Sequence, residues 1–362
     1  MGVISRISIL LLFMSWTGLC LPTDALSDSV VERSTCTSSC KVVRKEWGSL
    51  TKAERTSYIN AVLCLQKRPS IIPKGLVPGA KSRFDDFVAT HINQTLSIHL
   101  DGIFLAWHRE FVWLYEQALR NECGYTGTQP YWNWALWCNS LSTSPLFDGS
   151  ATSLSGDGVF EPDQGPYVVG EGETLPHGTG GGCALSGPFQ NMTVNMGPFD
   201  FSIVFTGVLP SNWTAYNPHC LTRDLNNYIS TRYGNQTAID VLMAKTTIAD
   251  FQNTMSGADI NLGVHGGGHF ALGPTLLDFF ASPSDPAFYL HHGMIDRVWT
   301  LWQAADPANR VNALSGTSTI FNQNTTPNVT LDTVVNWGYL GPPKTLRQLV
   351  SVTAGDFCYG YQ

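Results

Sequence analysis

Seven of the chain's nine histidines fall in two clusters: His91, His99 and His108, then His265, His269, His291 and His292. Imidazole is the commonest side-chain metal ligand. His265 and His269 are four apart, so on a helix they share a face and can chelate one ion, with His292 as a third nitrogen. His99 and His108 are nine apart, about 180° around an ideal helix. They cannot share a face of one straight helix. The spacing therefore puts His99 in a loop before Asp101 and His108 on the helix behind it. His91, from the preceding segment, completes a second set of three nitrogens. A lone histidine on an apolar helix is more often a hydrogen-bonded core residue. Two triplets, each ending on an amphipathic helix with aromatic neighbours, favour ligation. His177 and His219 lie outside both clusters, at expected structural or surface positions.

All-nitrogen sites suit zinc, copper or iron, and copper(II) is bound most tightly among the first-row divalent ions. A zinc protease needs Glu inside H-E-x-x-H, but Gly266, Gly267 and Gly268 occupy that interval. His-Gly-Gly-Gly also imitates an esterase oxyanion motif, yet no G-x-S-x-G nucleophile elbow accompanies it. Two three-histidine sites without an evident carboxylate ligand favour a copper pair.

The elements that must carry these residues are mostly helical. Thr51 with Glu54 forms a capping box, predicting a helix from Lys52 to about Gln66. A second is expected from about Gly102 to Asn121, capped by Asp101 and ended by Gly124. Further helical patterns cover Leu221–Arg232 and Ala238 to about Met255. Asp285-Pro286 is a start signal for a helix over Ala287–Gln303. Asn139 to Asn217 is Gly-, Pro- and Ser-rich and reads as ordered loop. Strand candidates are few, at Thr333–Asn336 and Leu349–Val352. The expected fold is mainly α, a helical bundle core inside long ordered loops.

Arg6 and the apolar run Ile7–Phe13 read as a signal peptide over residues 1–25, cleaved after Cys20 or Ala25. This leaves one catalytic domain over 26–362. No later apolar stretch is long enough to anchor the chain in a membrane. Six sequons, beginning at Asn93, Asn191, Asn212, Asn235, Asn324 and Asn328, fit a secreted glycoprotein. Once Cys20 leaves, eight cysteines remain, expected as four disulfides with no free thiol. A net charge of -7 argues against a nucleic-acid partner.

HLDGIFLAWHREFVWLYEQAL at 99–119, with PYWNW at 130–134, resembles the first copper region of the tyrosinase family. HGGGH at 265–269, with DPAFYLHHGMIDRVWTLWQ at 285–303, resembles the second. The likeness extends from Arg44 to Tyr359-Gly-Tyr361, a tyrosine motif that closes the family's catalytic domain. Because the chain stops one residue later, it resembles the short secreted fungal tyrosinases and catechol oxidases that lack a C-terminal lid.

The resemblance implies two coppers, one on His91, His99 and His108 and one on His265, His269 and His292. It puts His291 in the surrounding shell. Asp296 is expected to orient a ligand imidazole or to tie down Arg297. The substrate pocket is expected at Gly266, Phe270 and Phe279, the last of these above the second copper. The implied reaction uses O2 to convert o-diphenols, with o-aminophenols and more slowly monophenols, to o-quinones. A haemocyanin-like oxygen carrier and a non-catalytic secreted glycoprotein are the alternatives.

Three departures stand out. Ser97 replaces the cysteine that some relatives cross-link to the second histidine, so no thioether is expected. Asn133 replaces an aspartate. Gly266 stands where phenol-hydroxylating bacterial relatives carry an Asn that, with an upstream Glu, is proposed to hold a water. The position for that Glu is Ser256, with Asp259 the nearest acid.

Overall fold

Helix α1 (Lys52–Leu65) opens on the expected box: the Thr51 hydroxyl accepts from the Glu54 amide, and the Glu54 carboxylate accepts from the Thr51 amide. The computed structural model describes residues 36–37, 41–169, 172–257, 262–323 and 326–362. The signal segment, Cys40, Asp259 and Asn324 lie outside these. Helix α2 (Arg83–Gln94) starts on a second box, Ser82 with Asp85. Sequence reading had no helix there, because Asp replaces the usual Glu or Gln at the third position. Helix α3 (Phe104–Cys123) starts where the Asp101 carboxylate accepts from the amides of Ile103 and Phe104. Gly124, at φ 68°, ends it in the left-handed conformation that glycine adopts without penalty.

Smaller helices follow: α4 (Ile203–Thr206), α5 (Asn227–Tyr233), α6 (Gln236–Met243), α7 (Ile248–Ser256), α8 (Gly263–Phe270) and α9 (Pro274–Leu277). The last are α10 (Ala287–Ala305) and α11 (Pro307–Arg310). The Leu221–Arg232 pattern shortens to α5 because the Asn226 side chain caps at Ile229. The run predicted over Ala238–Met255 divides into α6 and α7, the latter started by the Thr247 hydroxyl. The architecture is mainly helical, as expected.

Strands are short and paired in twos. Strand β1 (Val42–Arg44) lies parallel to β10 (Tyr359–Tyr361), placing Arg44 opposite Tyr361. The segment read as loop carries α4 and five strands: β2 (Gly158–Phe160), β3 (Tyr167–Val169), β4 (Glu173–Leu175), β5 (Gly181–Ala184) and β6 (Thr193–Val194). They are too short to show an alternating pattern. Strand β7 (His219–Cys220) pairs with β6, and β8 (Val334–Val335) with β9 (Lys344–Thr345). Leu349–Val352 is a turn, not the expected strand.

Helices α2, α3 and α10 form the centre of the core. Tyr115 of α3 stacks on Tyr289 of α10 with ring centroids 3.4 Å apart, and Phe87 of α2 meets Phe111 at 5.6 Å and Tyr115 at 5.3 Å. Such contacts hold the helices that carry the histidines at fixed spacing.

A buried ionic cluster ties α3 and α10 to the two chain ends. Asp296 accepts from Arg109 at 2.6 Å and from the Tyr359 hydroxyl at 2.6 Å; Tyr361 donates to the same carboxylate. Arg44 reaches Asp296 at 3.4 Å and Glu116 at 2.5 Å. Asp296 therefore neither orients an imidazole nor holds Arg297, contrary to expectation. Arg297 instead donates to the Gln362 carbonyl at 3.2 Å and lies over the Tyr131 ring.

Three disulfides are formed, Cys36–Cys358, Cys64–Cys123 and Cys183–Cys220. Cys138 is half-buried and carries no disulfide among the described residues. The eighth cysteine of the mature chain, Cys40, lies outside the described residues, so the expected fourth disulfide is not among those described.

Candidate metal centre

His91 comes from α2, His99 from the turn between α2 and α3, and His108 from α3. This is the loop-and-helix division that the spacing of nine required. The three rings lie 5.0–5.7 Å apart by centroid. His265 and His269 project from α8 and lie 4.9 Å apart; His292, from α10, lies 5.2 and 5.5 Å from them. The triplets meet where His108 stacks on His292 at 4.5 Å and 15°.

The fit to a metal shows in the hydrogen bonds. Four rings commit Nδ1 to a backbone carbonyl: His91 to Phe280 at 2.7 Å, His99 to Thr95 at 3.0 Å, His108 to Phe104 at 2.9 Å and His269 to Leu276 at 2.7 Å. A carbonyl can only accept, so each Nδ1 carries the proton and Nε2 carries the lone pair. The Nε2 atoms of His91 and His108, and both nitrogens of His292, are buried with no hydrogen-bond partner. The Nε2 atoms of His265 and His269 face each other at 3.2 Å. Converging buried lone pairs are costly unless a cation satisfies them.

Burial pushes all seven clustered imidazoles below the ordinary histidine range, His99 to about 3 and His269 to about 4. They are neutral at physiological pH, the form that ligates metal.

His291 lies close enough to the second triplet to be counted with it by distance. Its two nitrogens are nevertheless taken up in hydrogen bonds. The Trp134 indole donates to Nδ1 at 3.0 Å, and Nε2 donates to the His265 carbonyl at 3.0 Å. Both nitrogens are occupied, and the ring braces the backbone of a candidate ligand. Sequence reading missed Trp134, although it lies in the PYWNW run. It also missed Phe104, whose ring sits 4.7 Å from His265 and 4.8 Å from His108. The i,i+4 relation of Phe104 to His108 was the available signal.

The three glycines between His265 and His269 differ in their surroundings. A Cβ on Gly268 would lie 2.2 Å from Cε1 of His291, and one on Gly267 would lie 2.3 Å from Cβ of Tyr233. On Gly266 the nearest atoms belong to the Leu262 side chain, at 3.2 Å. Gly268→Ala should therefore displace His291 and destabilise the fold by about 1–3 kcal/mol, with copper held more weakly but not lost. Gly266→Ala should remain within about 0.5 kcal/mol of wild type. Thermal unfolding and copper assay of both variants check this.

Phe279, expected above the second copper, lies with its ring 4.6 Å from His99 of the first triplet. The cause is the Phe280 carbonyl: accepting from His91 pins segment 278–281 to α2. Phe270, half-buried, meets Tyr167 at 5.8 Å. Ser97, exposed, donates to the Gln94 carbonyl at 3.0 Å. Ser256 ends α7. Among the sequons, Asn93, Asn191, Asn212 and Asn328 are exposed, whereas half-buried Asn235 caps α6.

The chain matches the common central domain of tyrosinase over residues 81–305. It is 51% identical over 326 residues to tyrosinase P of Aspergillus terreus, covering 88% of this chain and 91% of that protein. The N-acetyl-6-hydroxytryptophan oxidase of Emericella nidulans is 42% identical over 355 residues, covering 93% and 97%. A variant polyphenol oxidase of Thermothelomyces thermophila superposes with a TM-score of 0.85 at 43% identity, covering 91% of this chain and 90% of that one. With its histidine clusters built on this fold, the chain belongs to the tyrosinase family and is a type 3 copper oxidase.

Proposed function

We propose that the protein is a secreted enzyme that holds two coppers on His91, His99 and His108 and on His265, His269 and His292, and oxidises o-diphenols to o-quinones. The observation that carries this reading is the set of neutral, buried imidazoles, four of them with Nδ1 committed to a carbonyl, whose remaining nitrogens converge. When bound, the copper pair supplies dioxygen binding and takes two electrons from the diphenol, which also releases two protons. The protein's own part is positioning. Backbone carbonyls orient four of the ligands, His291 braces His265, and Phe104 packs against His108 and His265 beside the stacked His108–His292 pair. The Phe279 ring borders the first triplet and offers a face to an incoming aromatic ring.

Simple monophenols are expected to react more slowly, and o-aminophenols to resemble diphenols. A phenol has a pKa of about 10, so roughly one molecule in a thousand is ionised at neutral pH. Hydroxylation gains from a base or held water, and Gly266 has no side chain to hold one. Ser256 supplies a hydroxyl, not a base. Oxygen uptake with matched monophenol, o-diphenol and o-aminophenol tests the reading: faster diphenol turnover is expected, and faster monophenol turnover contradicts it. Gly266→Asn should raise the monophenol-to-diphenol ratio by about tenfold, less than the roughly hundredfold low end of general acid–base contributions because Asn holds a water and is not itself the base. An unchanged ratio would remove the explanation. The leader-like residues 1–25, the exposed sequons and the disulfides support an extracellular location; mass spectrometry of the secreted chain, expected to lack the leader and to carry glycans, tests it.

A further inference from the structure

We infer that Phe201 and Phe205 form a platform that extends the substrate pocket and selects phenols carrying a neutral aryl group para to the hydroxyl. The inference rests on the phenol-oxidase reading above. The observation is a continuous aromatic path leading out of the centre. Phe279 lies 4.6 Å from His99, Phe201 lies 5.3 Å from Phe279, and Phe205 lies 5.7 Å from Phe201. The outer two rings are 50% and 75% exposed, and nearby Val208 is 70% exposed. A contiguous apolar patch of this kind marks an interaction site more often than chance surface.

The platform is held in place from beneath. The Asp278 carboxylate accepts from the amides of Phe199, Phe280 and Ala281 at 2.9–3.0 Å. One half-buried acid thus joins the segment bearing Phe201 to the segment bearing Phe279. Phe199 packs on Phe280 at 5.7 Å, Val204 is buried, and the Asn217 amide donates to the Gly197 carbonyl at 2.7 Å. Phe201 and Phe205 are therefore exposed on an anchored segment, so stacking on them costs little ordering.

A phenol that enters hydroxyl-first, towards the converging Nε2 atoms, points its para substituent outwards along this path. A second ring there meets the faces and edges of Phe201 and Phe205. Charge favours a neutral ring: between Met196 and Asn217 the only charged residue is Asp200. An outer carboxylate would find an acid there and no counter-ion on this segment.

The test is calorimetric binding of 4-phenylresorcinol and 4-methylresorcinol, which resist oxidation to o-quinones, to copper-loaded wild type and the F201A/F205A double variant. Wild type should prefer the phenyl compound by about tenfold, the scale of aromatic pairing, and the variant should lose most of that preference. A ratio unchanged by the substitutions overturns the platform. If these rings seat a second copy of the chain instead, the double variant will convert a dimer to monomer in sedimentation while the ratio stays fixed, which also overturns it. Wild-type turnover of 4-methylcatechol, measured separately, judges the oxidase reading, while the binding ratio judges the platform.

Discussion

His292→Ala is expected to halve the copper content and abolish turnover of an o-diphenol, whereas His291→Ala keeps both coppers. The two residues are adjacent and both fully buried, so neither burial nor distance separates them. Hydrogen bonding does. Both nitrogens of His292 are unpartnered, while those of His291 are committed to Trp134 and the His265 carbonyl. Removing His291 loosens the strand of contacts behind one ligand and should cost roughly tenfold in copper affinity, the low end for such outer partners. Copper analysis after dialysis, together with oxygen uptake, checks both variants. The opposite pattern would assign the ligand to His291.

The second large effect is on stability. Asp296→Asn should destabilise the fold by about 3–5 kcal/mol, because it leaves Arg109 buried with its charge uncompensated. Arg297→Ala, the adjacent control, loses only a hydrogen bond to the Gln362 carbonyl and the contact with the Tyr131 ring, and should cost no more than about 1 kcal/mol. Burial alone would raise the Asp296 carboxyl, but Arg109, Arg44 and the two tyrosine hydroxyls hold it below the ordinary carboxylate value. A depressed folded value means that the carboxylate's stabilisation is present above the unfolded value of about 3.9 and fades as pH falls through the folded value. The variant should therefore lose less stability than wild type on acidification below pH 4. Chemical denaturation from pH 7 down to pH 3 measures this. Equal acid sensitivity in the two proteins would contradict the assignment.

The two histidine clusters were legible because they rest on residue type and spacing. A spacing of four specified one helical face, a spacing of nine required a loop, and the structure built α8 and the His99 turn accordingly. What the sequence did not carry was the contribution of backbone carbonyls. Thr95, Phe104, Leu276 and Phe280 act through groups every residue possesses, so only the folded path reveals which accept. The position of Phe279 followed from one of these, the Phe280 bond to His91, and its distance from His292 along the chain gave no sign of it. Asp296 misled for a related reason. Its place four residues after a ligand suggested a role towards the metal, whereas its partners come from both chain ends, 252 and 63 residues away. The short strands between β2 and β7 were unreadable because two to four residues show no period.

The most direct measurement of the central claim is an anomalous difference map at the copper absorption edge from crystals of copper-loaded protein. Two peaks are expected, one bounded by Nε2 of His91, His99 and His108 and the other by nitrogens of His265, His269 and His292. A single peak, or a second peak ligated by His291, would contradict it.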